Sequence, residues 1–95
     1  MKYLKINNHF INLSNWKSFR IKCYPKEIGF QKEEYSLLIE LSGGNGELRS
    51  YDLDSLFHLS NKKEHMIKQE KLLSEELFSF LQSSRVVWEI REMED

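Results

Sequence analysis

Apolar and polar positions alternate along most of the first half of the chain, then fall into a helical rhythm in the second. Lys17 to Tyr24 places Phe19, Ile21 and Cys23 on one side and Ser18, Arg20, Lys22 and Tyr24 on the other, the period of a half-buried strand. Tyr35 to Leu41 repeats the pattern, with Tyr35, Leu37, Ile39 and Leu41 inward. Lys2 to Ile6 and His9 to Leu13 flank Asn7-Asn8, a pair that tolerates the positive φ of a tight hairpin. Leu4 and Ile6 are expected inward, Tyr3 and Lys5 outward. Pro25 stops the third strand, and the polar stretch to Glu34 reads as a loop or irregular edge. Ser42-Gly43-Gly44-Asn45-Gly46 turns the fourth strand into a fifth, Glu47 to Leu53.

Residues 61–82 contain no Gly, Pro or Val and are rich in Glu, Lys, Leu and Gln, a composition that favours helix. At 100° per residue, Met66, Leu73, Leu77, Phe80 and Leu81 share one side, with Ile67 and Phe78 at its flank. Asn61 is the predicted N-cap, with Glu64 completing a capping box. Leu56 and Leu59 fall in phase with this stripe, but a helix from Asp54 would exceed the width of so small a domain, so a break is expected near Ser60. Arg85 to Glu92 alternates again, with Val86, Trp88 and Ile90 on one face. The order β-β-β-β-β-α-β predicts an α+β fold: a twisted, mainly antiparallel sheet with one long amphipathic helix on one face. The terminal β-α-β crossover leaves room for a parallel strand.

Ninety-five residues are read as one small domain, 1–95, with a strand-rich basic half (1–53) and an acidic half (54–95). Hydrophobic residues make up 40% and aromatics 13%, with one Pro and four Gly, which excludes a disordered or low-complexity chain. The longest apolar runs, Leu37 to Ile39 and Val86 to Trp88, are three residues long, too short for a membrane span. The N-terminus lacks an apolar h-region, so no signal peptide is expected. A single Cys fits a reducing compartment, and a cytoplasmic location is expected.

Charge changes the picture more than composition does. Residues 1–26 hold six cations, Lys2, Lys5, Lys17, Arg20, Lys22 and Lys26, and no Asp or Glu, although the whole chain balances at −1. Tyr3, Phe10, Trp16, Phe19 and Tyr24 are threaded among them. If Tyr3, Lys5, Arg20, Lys22 and Tyr24 shared one open face, it would offer cations for phosphates and rings for unstacked bases. Against this stand the absence of an RRM-type strand signature, a pI of about 6.3 and the ordinary need for large rings such as Phe10, Trp16 and Phe19 in a small core. Residues 54–95 balance at −3 and 1–53 at +2, and Glu89 to Asp95 holds four acids and one Arg. That acidic tail is expected to fold over the basic strands, to reach a neighbouring copy, or to remain solvated.

Other candidates read more plainly. The glycine-rich 42–46 segment leads into a strand, not a helix, so it is a hairpin turn and no phosphate cradle. Cys23 sits at core parity and reads as structural. His9, His58 and His65 match no zinc spacing, and Asp52 and Asp54 lack the further acid a divalent cation would want. Asp54 is expected to cap a turn. Glu70 falls inside the apolar stripe and is expected to reach water or a Lys where the stripe leaves the sheet.

These readings converge on a non-enzymatic interaction module without cofactor or metal, docking another protein or a second copy of itself through an open sheet face. The expected anchors are Tyr3, Trp16, Tyr24 and Tyr51, with Lys5, Arg20 and Lys22 supplying charge. The alternative is single-stranded RNA or DNA on the basic-aromatic face. No residue pattern indicates a catalytic set, and none is specific enough to indicate a family.

Overall fold

Asn7 adopts the left-handed conformation (φ 53°), tolerated by its short polar side chain, and reverses the chain between β1 (Tyr3–Ile6) and β2 (His9–Asn12). In the computed structural model, which describes residues 1–26, 34–57 and 62–94, the remaining elements follow in the predicted order. They are β3 (Ser18–Pro25), β4 (Tyr35–Ser42), β5 (Leu48–Asp52), α1 (Lys63–Gln82) and β6 (Val87–Glu89). Short 3₁₀ turns at Leu13–Asn15 and Asp54–Leu56 join β2 to β3 and follow β5. Gly46, at φ 84°, closes the β4–β5 hairpin, where the Gly43 N–H donates to the Glu47 carbonyl (2.8 Å).

The fold is α+β, as the periodicities indicate, but the strands form two three-stranded sheets instead of one. The first has the order β2-β1-β6, with β1 and β2 antiparallel and β6 parallel to β1; the second has the order β3-β4-β5, all antiparallel. Alternation specifies which face a side chain takes but not which strand lies beside it. The Leu13–Asn15 turn, held by the Asn12 side chain accepting the Ser14 N–H (2.9 Å), carries the chain out of the first sheet before β3 begins.

Both sheets and the helix contribute to one apolar core. Leu4, Ile6, Ile11 and Trp88 enter it from the first sheet, Ile21, Leu37, Ile39 and Leu41 from the second, and Met66, Leu73, Leu77 and Phe80 from α1. Full burial of each such side chain contributes roughly 1.5–3 kcal/mol relative to exposure. The inward parity of β1, β3 and β4 and the stripe of α1 agree with the sequence pattern.

Three details differ from it. Val86 is 56% exposed, because β6 begins only at Val87 and the Val86 carbonyl accepts the Tyr3 N–H (2.8 Å). Phe10 is 56% exposed and not part of the core. The helix N-cap is Lys62, with no side-chain cap; Asn61 and Ser60 lie outside the described residues, as does His58. Phe57 is extended (φ −100°, ψ 117°), so helix does not run on continuously from Asp54. No helix among the described residues is long and apolar enough to cross a membrane.

Candidate functional site

Strand pairing fixes what each sheet presents outward. On the first sheet Tyr3 lies between Asn12 and Val87, and Lys5 between Phe10 and Glu89. The Lys5 ammonium sits 3.7 Å from the Glu89 carboxylate and 5.7 Å from the centre of the Phe10 ring. The Tyr3 hydroxyl donates to the Met1 sulfur (2.8 Å). Phe10, Val87 (44% exposed) and Met1 (77%) frame this pair, and the Glu89 carboxylate also lies 2.9 Å from the Arg91 guanidinium.

On the second sheet the outward residues of β3 are Ser18, Arg20, Lys22 and Tyr24, opposite Ser42, Glu40, Leu38 and Ser36. Arg20 Nε donates to Glu40 Oε1 (2.8 Å), and the Tyr24 hydroxyl donates to the same oxygen (2.9 Å). That hydrogen bond, with burial behind it, pushes the Tyr24 hydroxyl above its ordinary range. Lys22 is exposed opposite Leu38.

The seven predicted binding residues therefore do not form one surface. Tyr3 and Lys5 lie on the first sheet; Arg20, Lys22 and Tyr24 lie on the second. Trp16 is partly buried against the core, with the Arg49 guanidinium 5.7 Å from its ring centre. Tyr51 points inward from β5 and is also partly buried, its ring 5.6 Å from that of His9. Here the β2 end of the first sheet meets β5 of the second, and the Asn7 amide donates to the Ser55 hydroxyl (3.2 Å).

Several cations of residues 1–26 are engaged within the molecule. Lys2 donates to the carbonyls of Ser83 (2.7 Å) and Arg85 (2.5 Å), just beyond the C-terminus of α1, where a positive charge is favoured. Lys26 pairs with Asp54 at 2.5 Å. Asp54 also accepts the Leu37 N–H and the Ser36 hydroxyl, both at 2.9 Å. Burial pushes the Asp54 carboxyl up, but the bonds from Lys26, Leu37 and Ser36 outweigh it and hold it below the usual carboxylate range. Asp52 in turn accepts the Asp54 N–H (2.7 Å). Among the described residues no group of three or more His, Cys, Asp or Glu is placed to hold a metal ion.

The acidic tail packs largely on the helix. Ile90 is buried, the Glu92 carboxylate lies 2.8 Å from the His65 ring nitrogen, and Glu89 reaches back to Lys5. Gln69 holds this segment: its Nε2 donates to the Met93 carbonyl (2.6 Å), and its Oε1 accepts the Met93 N–H (2.8 Å). The sequence reading overlooked Gln69, although its place in the stripe between Met66 and Leu73 was the available signal.

Glu70 reaches a backbone group. Its Oε2 accepts the backbone N–H of Cys23 at 2.6 Å, on the strand that forms an edge of the second sheet. Burial, then the Glu70 and Asp54 carboxylates, push the Cys23 thiol up, away from the reactive thiolate. Below this contact a groove opens between β3 and α1, lined by Phe19, Arg20, Ile21, Ser74, Leu77, Phe78 and Leu81. Phe78 stands at 63% exposure.

No family model, curated protein or solved structure matches this chain.

Proposed function

We propose that this is a non-enzymatic interaction module of the cytoplasm that engages another protein, or a second copy of itself, through the open face of the first sheet. The observation that carries the reading is the grouping of Met1, Phe10 and Val87, each substantially exposed, around Tyr3 and Lys5 on one three-stranded face. Contiguous apolar surface of this kind, rimmed by polar groups, marks interaction sites. On this face the Glu89 carboxylate is shared by Lys5 and Arg91. Three short strands make a contact at the small end of interface sizes, so association is expected to be weak and transient.

The test compares the native chain with Phe10→Glu, a change at an exposed position that leaves the core intact. Sedimentation equilibrium at rising concentration and capture on immobilised protein should both reveal association that Phe10→Glu abolishes. A strictly monomeric chain, together with the same captured set for both proteins, overturns the reading.

A further inference from the structure

The edge of β3, with the groove beside α1, forms a second surface on the other sheet. In the β4–β5 ladder the Leu37 carbonyl accepts the Leu53 N–H (2.8 Å), so odd-numbered residues of β4 bond to β5 and even-numbered ones to β3. Their partners on β3 are Ser18, Arg20, Lys22 and Tyr24. Phe19, Ile21 and Cys23 accordingly turn their backbone groups towards the open edge. Cys23 is answered by Glu70. Among the described residues, the N–H groups of Phe19 and Ile21 have no strand beside them and no other partner. A row of unpaired donors and acceptors is a template for another strand. Here it runs along a mainly apolar groove floored by Phe19 and Ile21, with Arg20 between them, and walled by Leu77, Phe78 and Leu81.

We propose that this edge binds an extended segment of another protein by strand addition, with acidic and apolar residues alternating along the guest. Residues opposite Phe19 and Ile21 point into the groove, where aliphatic side chains bury against Leu77 and Leu81. Residues opposite Arg20 and Lys22 point to the outer face, where carboxylates meet Lys22 and the exposed side of Arg20, whose Nε is held by Glu40. Glu70 closes the site at Cys23. The same charges disfavour a second copy as the occupant. The antiparallel register that sets Phe19 against Ile21 of the other molecule, using the open edge of both, places Arg20 opposite Arg20, and like charges directly opposite are destabilising.

The probe is a fluorescein-labelled synthetic peptide alternating valine with glutamate, compared with its counterpart carrying lysine for glutamate. The acidic peptide should bind and the basic one should not. On binding, the Phe19 and Ile21 amides should become protected from hydrogen exchange. Lys22→Glu should weaken binding about tenfold and Phe78→Ser about fivefold; both positions are exposed, so the fold persists. Phe10→Glu should bind the peptide as the native chain does, which separates this site from the open face of the first sheet. The proposal is overturned by equal binding of both peptides or by absent amide protection. Protection that rises with protein concentration alone, or is produced equally by an oligothymidylate, overturns it too.

Discussion

Replacing Gln69 tests whether one buried amide holds the C-terminal segment on the helix. The side chain is 1% exposed, and both its functional atoms bond to the backbone of Met93, as a rung of a sheet would. Gln69→Met keeps the volume and removes both bonds. Each contributes about 0.5–1.5 kcal/mol, and the abandoned Met93 groups add a desolvation cost, giving roughly 2–3 kcal/mol. Gln69→Ala adds a cavity and should cost roughly 3–4 kcal/mol. At about 4–8 °C per kcal/mol for a domain of this size, the melting temperature should fall by roughly 10–25 °C. Gln69→Glu supplies the pH signature. Its carboxylate can still accept the Met93 N–H but faces the Met93 carbonyl without a proton to offer. Protonation restores the donor, so its folded pKa should lie above the ordinary Glu value of about 4.3. The variant's deficit against the native chain should then be small at pH 4 and grow as pH rises through that raised pKa. Urea unfolding followed by circular dichroism and by tryptophan fluorescence measures each difference. A loss below about 1 kcal/mol for Gln69→Met, or a pH-independent deficit for Gln69→Glu, would refute the reasoning.

Asp54→Ala should cost roughly 2–4 kcal/mol in urea unfolding, because it strands the Leu37 N–H and Lys26 together, whereas Asp54→Asn keeps an acceptor and should cost about half as much. Asp54 is held below its usual range, so its stabilisation is present above the unfolded pKa and is lost as pH falls through the folded one; Asp54→Asn should flatten the acid limb of the stability curve. Glu70→Ala should lower the melting temperature and increase light scattering at high concentration by exposing the Cys23 N–H; unchanged scattering would show that the carboxylate does not guard the edge. The Cys23 thiol should react with a disulfide reagent at neutral pH more slowly than free glutathione, and faster reaction would contradict its raised pKa.

Local patterning made β3, β4 and α1 legible because each has one face against the core, and a one-residue slip would bury Arg20 or Glu40 instead of Ile21 or Ile39. The hairpins were legible for the same reason at Asn7 and Gly46, where backbone geometry restricts residue choice. The division into two sheets was not. It depends on β6 pairing with β1 across almost the whole chain, Tyr3 beside Val87 and Lys5 beside Glu89, and nothing in either short strand names the other. The groove was hidden likewise: Phe78 reads as a flank of the stripe until α1 is known to run beside an edge strand.

The segregation of charge along the chain does not survive as segregation in space. Lys2 lies at the end of α1, Lys5 meets Glu89, Arg20 meets Glu40 and Lys26 meets Asp54. Most of these partners come from β4 or from residues after β5, so folding joins the basic segment to the acidic half within one molecule. Surface ion pairs of this kind contribute little each, but together they reduce the unpaired positive charge that a polyanion would meet. What they leave on the β3 side is Lys22, exposed opposite an aliphatic neighbour, and Arg20, still 65% exposed beside its carboxylate. Two cations flanking an unpaired N–H suit a short acidic strand, whose alternate side chains fall on one face, better than an extended phosphate backbone, whose charges recur along its whole length.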